Sequence, residues 1–182
     1  MKVNPEKEII ENLAKEILVA ARTAPKAKGL DDLIFGLIME EKEKEMLARE
    51  MERIGDEKGS AFKFFKRDAE SVRNSEAIIL ISVNFNKPLG LNCGACGFSC
   101  DTILNYPKSN LDLEGPICAM KLLDMGIAIG SAAAKAKDLC IDNRVMYTIG
   151  VAAKKLNLLP GQIIIGLPLS VKGKNIYFDR KS

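Results

Sequence analysis

Histidine and tryptophan are both missing from the 182 residues, and aromatic residues make up only 5% of them. Without histidine there can be no mixed cysteine–histidine zinc site, no histidine–carboxylate metal triad and no Ser–His or Cys–His catalytic pair. Chemistry in such a chain is pushed towards a bound cofactor. Long apolar runs are missing too. The stretch AIILISV, residues 77–83, is far short of the ~20 residues needed to cross a bilayer. Neither charge sign dominates: 27 Lys+Arg stand against 24 Asp+Glu, a net charge of +3. No basic run is interleaved with aromatics, so neither nucleic acid nor a membrane is expected as a partner. The opening MKVNPEKEII lacks the apolar core of a secretory signal, and a cytoplasmic location is expected.

What is present is an ordinary globular composition, 47% hydrophobic and 28% charged, with enough length for one full core or one core plus a small insertion. Asn4-Pro5, with Glu8 in the first turn, reads as a helix start, and Ile9, Leu13 and Ile17 carry one apolar face to about Arg22. Residues 33–39 (LIFGLIM) read as a buried strand, 40–54 as an amphipathic helix stopped by Gly55, and 56–75 as polar and irregular. AIILISV is a central strand. Residues 116–138 form a long helix rich in alanine and glycine, 143–156 a further helix, 162–169 (QIIIGLPL) a buried strand and 175–178 (NIYF) a short terminal strand. This mixture predicts a layered α/β or α+β domain.

One region departs from that pattern. In NCGACGFSCD, residues 92–101, three cysteines and two glycines share ten positions. Cys93, Cys96 and Cys100 are spaced C-x2-C-x3-C, and Cys118 follows after seventeen more residues, in GPIC. Three explanations compete: disulfides, zinc or an iron–sulfur cluster. A reducing cytoplasm and an odd total of five cysteines weigh against bridges. Zinc bound by cysteine alone usually shows two C-x2-C knuckles, whereas this chain has one. A [4Fe–4S] cluster needs four converging thiolates, and Gly94 and Gly97 leave room for one. Pro116 and Gly115 would fix a turn at Cys118, just before the long helix, whose N-terminal end favours negative charge. Cys140 reads as a buried thiol between helices. Arg144 is expected to pair with Asp142. The acids Asp124, Asp142 and Asp179 each have a capping or pairing explanation, so no general acid or base is nominated.

The run NCGACGFSC followed by GPIC resembles the cluster-binding segment C-G-x-C-G-x-x-x-C…C of small iron–sulfur domains, with a second gap shorter by one residue. More widely, the chain resembles a prokaryotic family of ferredoxin-domain-containing proteins, through FKRDAESVRNSEAIILI, CGACG, LLDMGIAIGSAAAKAK, DNRVMYTIGVAAKKL and IIIGLPLSVKGKNIYFDR. Its flanking parts look like the nitroreductase fold, in which FMN sits at the interface of a homodimer. AARTAPKAKG resembles that fold's A-A-x-x-A-P-S-x-x-N segment, and IIIGLPLS its strand ending in I-G-Y-P.

The resemblance implies a nitroreductase-like α/β/α domain, residues 1–83 and 119–182, carrying a ferredoxin-like cysteine-rich insertion, residues 84–118. It implies a [4Fe–4S] cluster on Cys93, Cys96, Cys100 and Cys118. It also implies that Pro25, Lys26 and Lys28 approach an FMN, with Gly166 and Lys172 or Lys174 on the far side. These lysines and Arg180 are the candidate cations for the flavin phosphate. The R-x-S-x-R phosphate clamp of nitroreductases has no counterpart here, and lysines stand where Ser and Asn usually meet the flavin. The expected function is an iron–sulfur redox protein, a homodimer that passes electrons to or from a flavin or a redox partner protein. The alternative is a non-catalytic binding or scaffold protein whose cysteines hold a structural zinc or cluster.

Overall fold

The computed structural model describes residues 1–109 and 111–178. Four strands form one antiparallel sheet in the order β1-β2-β4-β3: β1 Leu33–Ile38, β2 Ala77–Val83, β3 Asp142–Asn143 and β4 Ile163–Ser170. Five helices cover it: α1 Ile10–Thr23, α2 Glu41–Lys58, α3 Phe64–Arg73, α4 Ala119–Asp138 and α5 Tyr147–Lys155.

β2 explains the layering. Its side chains point alternately to the two faces of the sheet. Ala77, Ile79, Ile81 and Val83 join a core built with α1 and α4, including Ala14, Ile17, Ala128 and Ala132. Ile78 and Leu80 join a second core with α2, α3 and α5, including Leu47, Met51, Phe65 and Ile149. A strand covered on both faces must be apolar throughout, and all seven residues of β2 are buried. The expected α/β/α layering follows.

Glycines permit the tightest contacts between layers. A Cβ on Gly150 of α5 would lie 1.7 Å from the Ile164 carbonyl oxygen, and one on Gly166 of β4 would lie 2.1 Å from Ile149 Cγ2. Helix α5 therefore lies directly on β4.

Several elements differ from the sequence expectation. Helix α2 passes through Gly55 to Lys58 and ends at Gly59, whose φ is 85°. Gly55 is buried, and a Cβ there would meet Phe65 Cβ at 3.0 Å, so its smallness admits α3 rather than stopping α2. Within the stretch read as irregular, Phe65, Ala69 and Val72 form the buried face of α3. The first helix is entered through a 3-10 turn, Pro5–Ile9, and Asn4 sits in the left-handed region at φ 55° without a side-chain cap bond. Residues 142–143 pair with Ser170 and Leu169 as a strand, so α5 begins only at Tyr147. The 175–178 stretch runs as bends instead of a strand, held by Tyr177, whose hydroxyl lies 3.1 Å from Ser75 Oγ. Among the described residues, no helix is long and apolar enough to cross a membrane.

Candidate functional site

Between β2 and α4 the described chain has little regular structure beyond one 3-10 turn, Ile103–Asn105. Its exit from β2 is fixed by backbone bonds: Asn84 N–H donates to the Asp32 carbonyl (2.9 Å) and Phe85 N–H to Gln162 Oε1 (2.7 Å). Phe85, Leu89, Ile103 and Ile117 bury their side chains in the α1/α4 core.

The cysteine loop hangs from those anchors. Left-handed residues bend it three times, at Asn92 (φ 48°), Gly94 (72°) and Gly97 (82°). Asn92 N–H donates to Cys100 Sγ at 3.2 Å, while Cys100 N–H donates to Asn92 Oδ1 at 3.1 Å. Cys93 is exposed, Cys96 and Cys100 are half-buried, and Cys118 is buried. Cys118 stands immediately before α4, where its carbonyl accepts from Lys121 N–H and Leu122 N–H. Cys96 and Phe98 pack against the same core that contains Cys118.

The donor chemistry fits an iron–sulfur cluster. Four thiols are available, a backbone N–H already points at one sulfur, and nothing lies within 4 Å of where a Cβ on Gly94 or Gly97 would be. N–H donation to sulfur is one of the levers that stabilise cluster charge. Among the described residues, however, no three cysteine, aspartate or glutamate side chains are gathered closely enough to hold a metal ion.

The residues expected near a flavin fall into two sets. Pro25 is exposed just beyond α1. Lys26 Nζ caps the end of α1, donating to the carbonyls of Ala21 (2.9 Å) and Arg22 (2.6 Å). Lys28, left-handed at φ 57°, reaches the Leu89 carbonyl at 3.1 Å. Lys172, on the other hand, donates to the Asn74 carbonyl and pairs with Glu76 at 3.7 Å. Lys174 is exposed on the same turn. Asn74 precedes β2 and Leu89 follows it, so one chain places the two sets at opposite ends of that strand, roughly 20 Å apart at ~3.3 Å per residue. One side of Gly166 is filled by Ile149. Arg180 and Asp179 lie outside the described residues.

Two expectations are corrected. Cys140 is exposed, at φ 58°, because the chain turns sharply there after α4. Arg144 donates to the Tyr177 carbonyl (2.7 Å) and lies 5.4 Å from the Phe178 ring centre, so it secures the C-terminal segment rather than pairing with Asp142.

Two charged residues of α4, Lys121 and Asp124, emerge as unexpected contributors. Three positions apart, they share a helix face and hold the 27–32 segment. Lys121, 2% exposed, pairs with Asp32 at 2.5 Å and donates to the Leu30 carbonyl at 3.2 Å. Asp124, 4% exposed, accepts from Ala27 N–H at 2.9 Å through Oδ1, while its buried Oδ2 has no hydrogen-bond partner. Their signal in the sequence was two charges in the otherwise apolar start of that helix. A third cluster ties residues 112–114 to the frame. Asp112 accepts from Tyr147 and from Lys58 (2.8 Å), and Glu114 pairs with Lys154 at 2.9 Å. Burial raises the Asp112 pKa, but hydrogen bonds from Lys58 and Tyr147 outweigh it and hold the carboxyl below its ordinary range. Burial and the Asp112 bond push the Tyr147 hydroxyl up.

Comparison with known proteins places this geometry. An uncharacterized protein from Archaeoglobus fulgidus is 44% identical over 162 residues, 88% of this chain and 86% of its own. Among solved structures, a nitroreductase family protein from Clostridium novyi NT superposes with a TM-score of 0.57 at 16% identity, over 98% of this chain and 79% of its own. The NADPH:FMN oxidoreductase from Vibrio harveyi gives 0.57 at 11% identity, over 90% of this chain. This chain spans only 60% of the length of the Vibrio protein. At those identities the likeness shows the fold, which is nitroreductase-like. The model of a family described as "uncharacterized protein containing a ferredoxin domain" (DUF2148) matches residues 114–180, a stretch that includes Cys118 and leaves out Cys93, Cys96 and Cys100. By that match and by its archaeal relative, the chain belongs to this family of ferredoxin-domain-containing proteins.

Proposed function

We propose that this protein is a redox carrier in which Cys93, Cys96, Cys100 and Cys118 hold a [4Fe–4S] cluster. Bound there, the cluster would supply one-electron transfer. The observation that carries the reading is the cysteine loop itself: three thiols on a glycine-bent turn, one already receiving a backbone N–H, with Cys96 and Cys118 packed into one core. The remaining step is for the loop to bring its sulfurs towards Cys118, and the open space at Gly94 and Gly97 leaves room for that movement. Residues 84–118 are then the ferredoxin-like insertion in a nitroreductase-like frame.

FMN is the second cofactor in this reading, shared between two copies of the chain. Lys26 and Lys28 lie at one end of β2 and Lys172 and Lys174 at the other, so a twofold dimer could bring one copy's first set to the other's second. The outer face of α4 supports a partner: Leu123 and Ile127 are exposed, and nothing crowds Gly126 or Gly130.

A second reading, a scaffold that has kept the fold without flavin chemistry, is favoured by one observation. Lys26, Lys28 and Lys172 already donate to protein carbonyls, and Ile149 fills one side of Gly166.

The deciding experiment is purification without air followed by metal analysis and a visible spectrum. About four irons per chain and a brown colour are expected for a [4Fe–4S] cluster, and a structured flavin band would add FMN. Colourless protein with zinc in place of iron would overturn the redox assignment.

A further inference from the structure

A cleft of about 230 Å3 opens between the 29–32 segment and Lys87–Pro88, where the cysteine-bearing segment begins, and Lys121 lines it. Its walls are fixed. Asn84 N–H holds the Asp32 carbonyl, Lys28 Nζ holds the Leu89 carbonyl just past Pro88, and Lys121 holds Leu30 and Asp32.

Lys121 is the unusual feature. An ammonium group 2% exposed carries a desolvation cost of several kcal/mol, and an apolar side chain could pin a loop to a helix without it. An ammonium has three N–H donors, and among the described residues the acceptors of this one are two, Asp32 Oδ2 and the Leu30 carbonyl. Both carboxylates in the cleft wall are engaged. Asp31 accepts from Arg22 (2.6 Å) and Leu33 N–H (3.1 Å), and Asp32 is paired with Lys121. Arg22 neutralises Asp31 from outside the cleft lining, while exposed Lys87 at the rim has no ion pair among the described residues. The two lysines of the lining thus balance its two aspartates, and with Arg22 on Asp31 and Lys121 on Asp32 the Lys87 charge is left over beside one spare donor of Lys121.

We propose that this cleft binds a small oxyanion, a carboxylate or a phosphate, held by the third N–H of Lys121 and attracted by Lys87. Its volume is below the ~300–1,000 Å3 of sites for drug-sized ligands, which suits a fragment-sized anion and excludes a nucleotide. The ligand would sit on the segment that leads from β2 to Cys93, between the cysteine loop and the Lys26–Lys28 turn. The proposal needs neither cluster nor flavin.

The test is an amide chemical-shift titration of the full-length protein with sodium acetate and, separately, inorganic phosphate at constant ionic strength. Iron is measured in each sample, so loss of anion binding and loss of cluster are read independently. Saturable shifts confined to residues 29–32, 87 and 121 are expected with at least one anion. Saturation by acetate alone assigns a carboxylate ligand, and saturation by phosphate alone assigns a phosphate. Lys87→Gln should weaken binding about three- to fivefold, the size of one screened charge contact. Lys121→Met should abolish it. Should that variant not fold, Lys121→Arg, which keeps the charge, should fold and alter the affinity. Absence of saturable shifts with both anions, or unchanged affinity in Lys87→Gln, would overturn the proposal and leave Lys121 a staple between loop and helix.

Discussion

The frame and the cysteine-bearing segment are held together by different forces. In the frame, β2 is buried on both faces and helices lie on the sheet at distances that only glycine allows. Its shape is set by close packing, which tolerates almost no added volume. Residues 84–118 contribute only a few apolar anchors, and the cysteine loop beyond them is shaped by left-handed turns and the reciprocal bonds between Asn92 and Cys100. A region built this way has low local stability and can rearrange around something it binds. The frame has no such freedom. What the pair teaches is a division of labour: a rigid platform that ends at Cys118, and an adjustable loop that carries the other three thiols.

Glycine substitutions should break the comparison most visibly. In Gly150→Ala the new methyl would meet a backbone oxygen at 1.7 Å, and the backbone cannot yield. A loss of about 3 kcal/mol or more is expected in denaturant unfolding, or failure to fold. In Gly94→Ala nothing is within 4 Å, and the cost is that of a left-handed alanine at φ 72°, about 1–2 kcal/mol and confined to the loop. Equal losses at the two positions would show that the loop is as tightly packed as the frame.

Cysteine substitutions come next. Cys100→Ser should release iron while leaving frame stability within about 0.5 kcal/mol, since Cys100 is half-buried on the loop. Cys118→Ser should release iron and also cost about 1–3 kcal/mol, because it places a hydroxyl in the apolar core. Unfolding curves with parallel iron analysis separate the two, and a frame destabilised equally by both would make the site structural.

How far these features were legible in the sequence depends on whether they are local. AIILISV gave β2 with its bounds intact, since a strand buried on both faces is apolar at every position. The α/β/α layering came instead from the resemblance to the nitroreductase fold, since the pattern alone predicted no more than a layered domain. Helix α2 was cut short because Gly55 resembled a stop signal, when its lack of a side chain serves contact with Phe65, ten residues on. Helix α3 was missed because its apolar face of Phe65, Ala69 and Val72 is narrow within a polar stretch. Cys140 was misplaced because its exposure depends on a backbone turn that composition does not encode. For the cysteines, spacing named candidate ligands but not how the fold arranges them. Lys121 and Asp124 were visible as charges, yet their significance lies in contacts with residues about 90 positions away.

The smallest expected effect concerns the carboxylates that tie the cysteine-bearing segment to the frame. Asp112 and Glu114 both titrate below their ordinary values. In Asp112 the bonds from Lys58 and Tyr147 overcome the effect of burial, and in Glu114 the Lys154 bond dominates with Lys108 beside it. A carboxyl whose folded pKa is depressed contributes stability that is complete above its unfolded pKa and lost as pH falls through the folded one. The tether should thus be constant from neutral pH down to about 5, weaken below about 4.5 and vanish at lower pH. Each pair is partly exposed, so about 0.2–1 kcal/mol per pair is at stake. Amide exchange should show residues 84–118 opening first under acid while β2 and β4 stay protected, and Asp112→Asn should produce part of that opening already at pH 7. If the segment and the sheet open together across this range, the tether belongs to the frame, and the division between the two regions lies nearer the cysteines than Asp112.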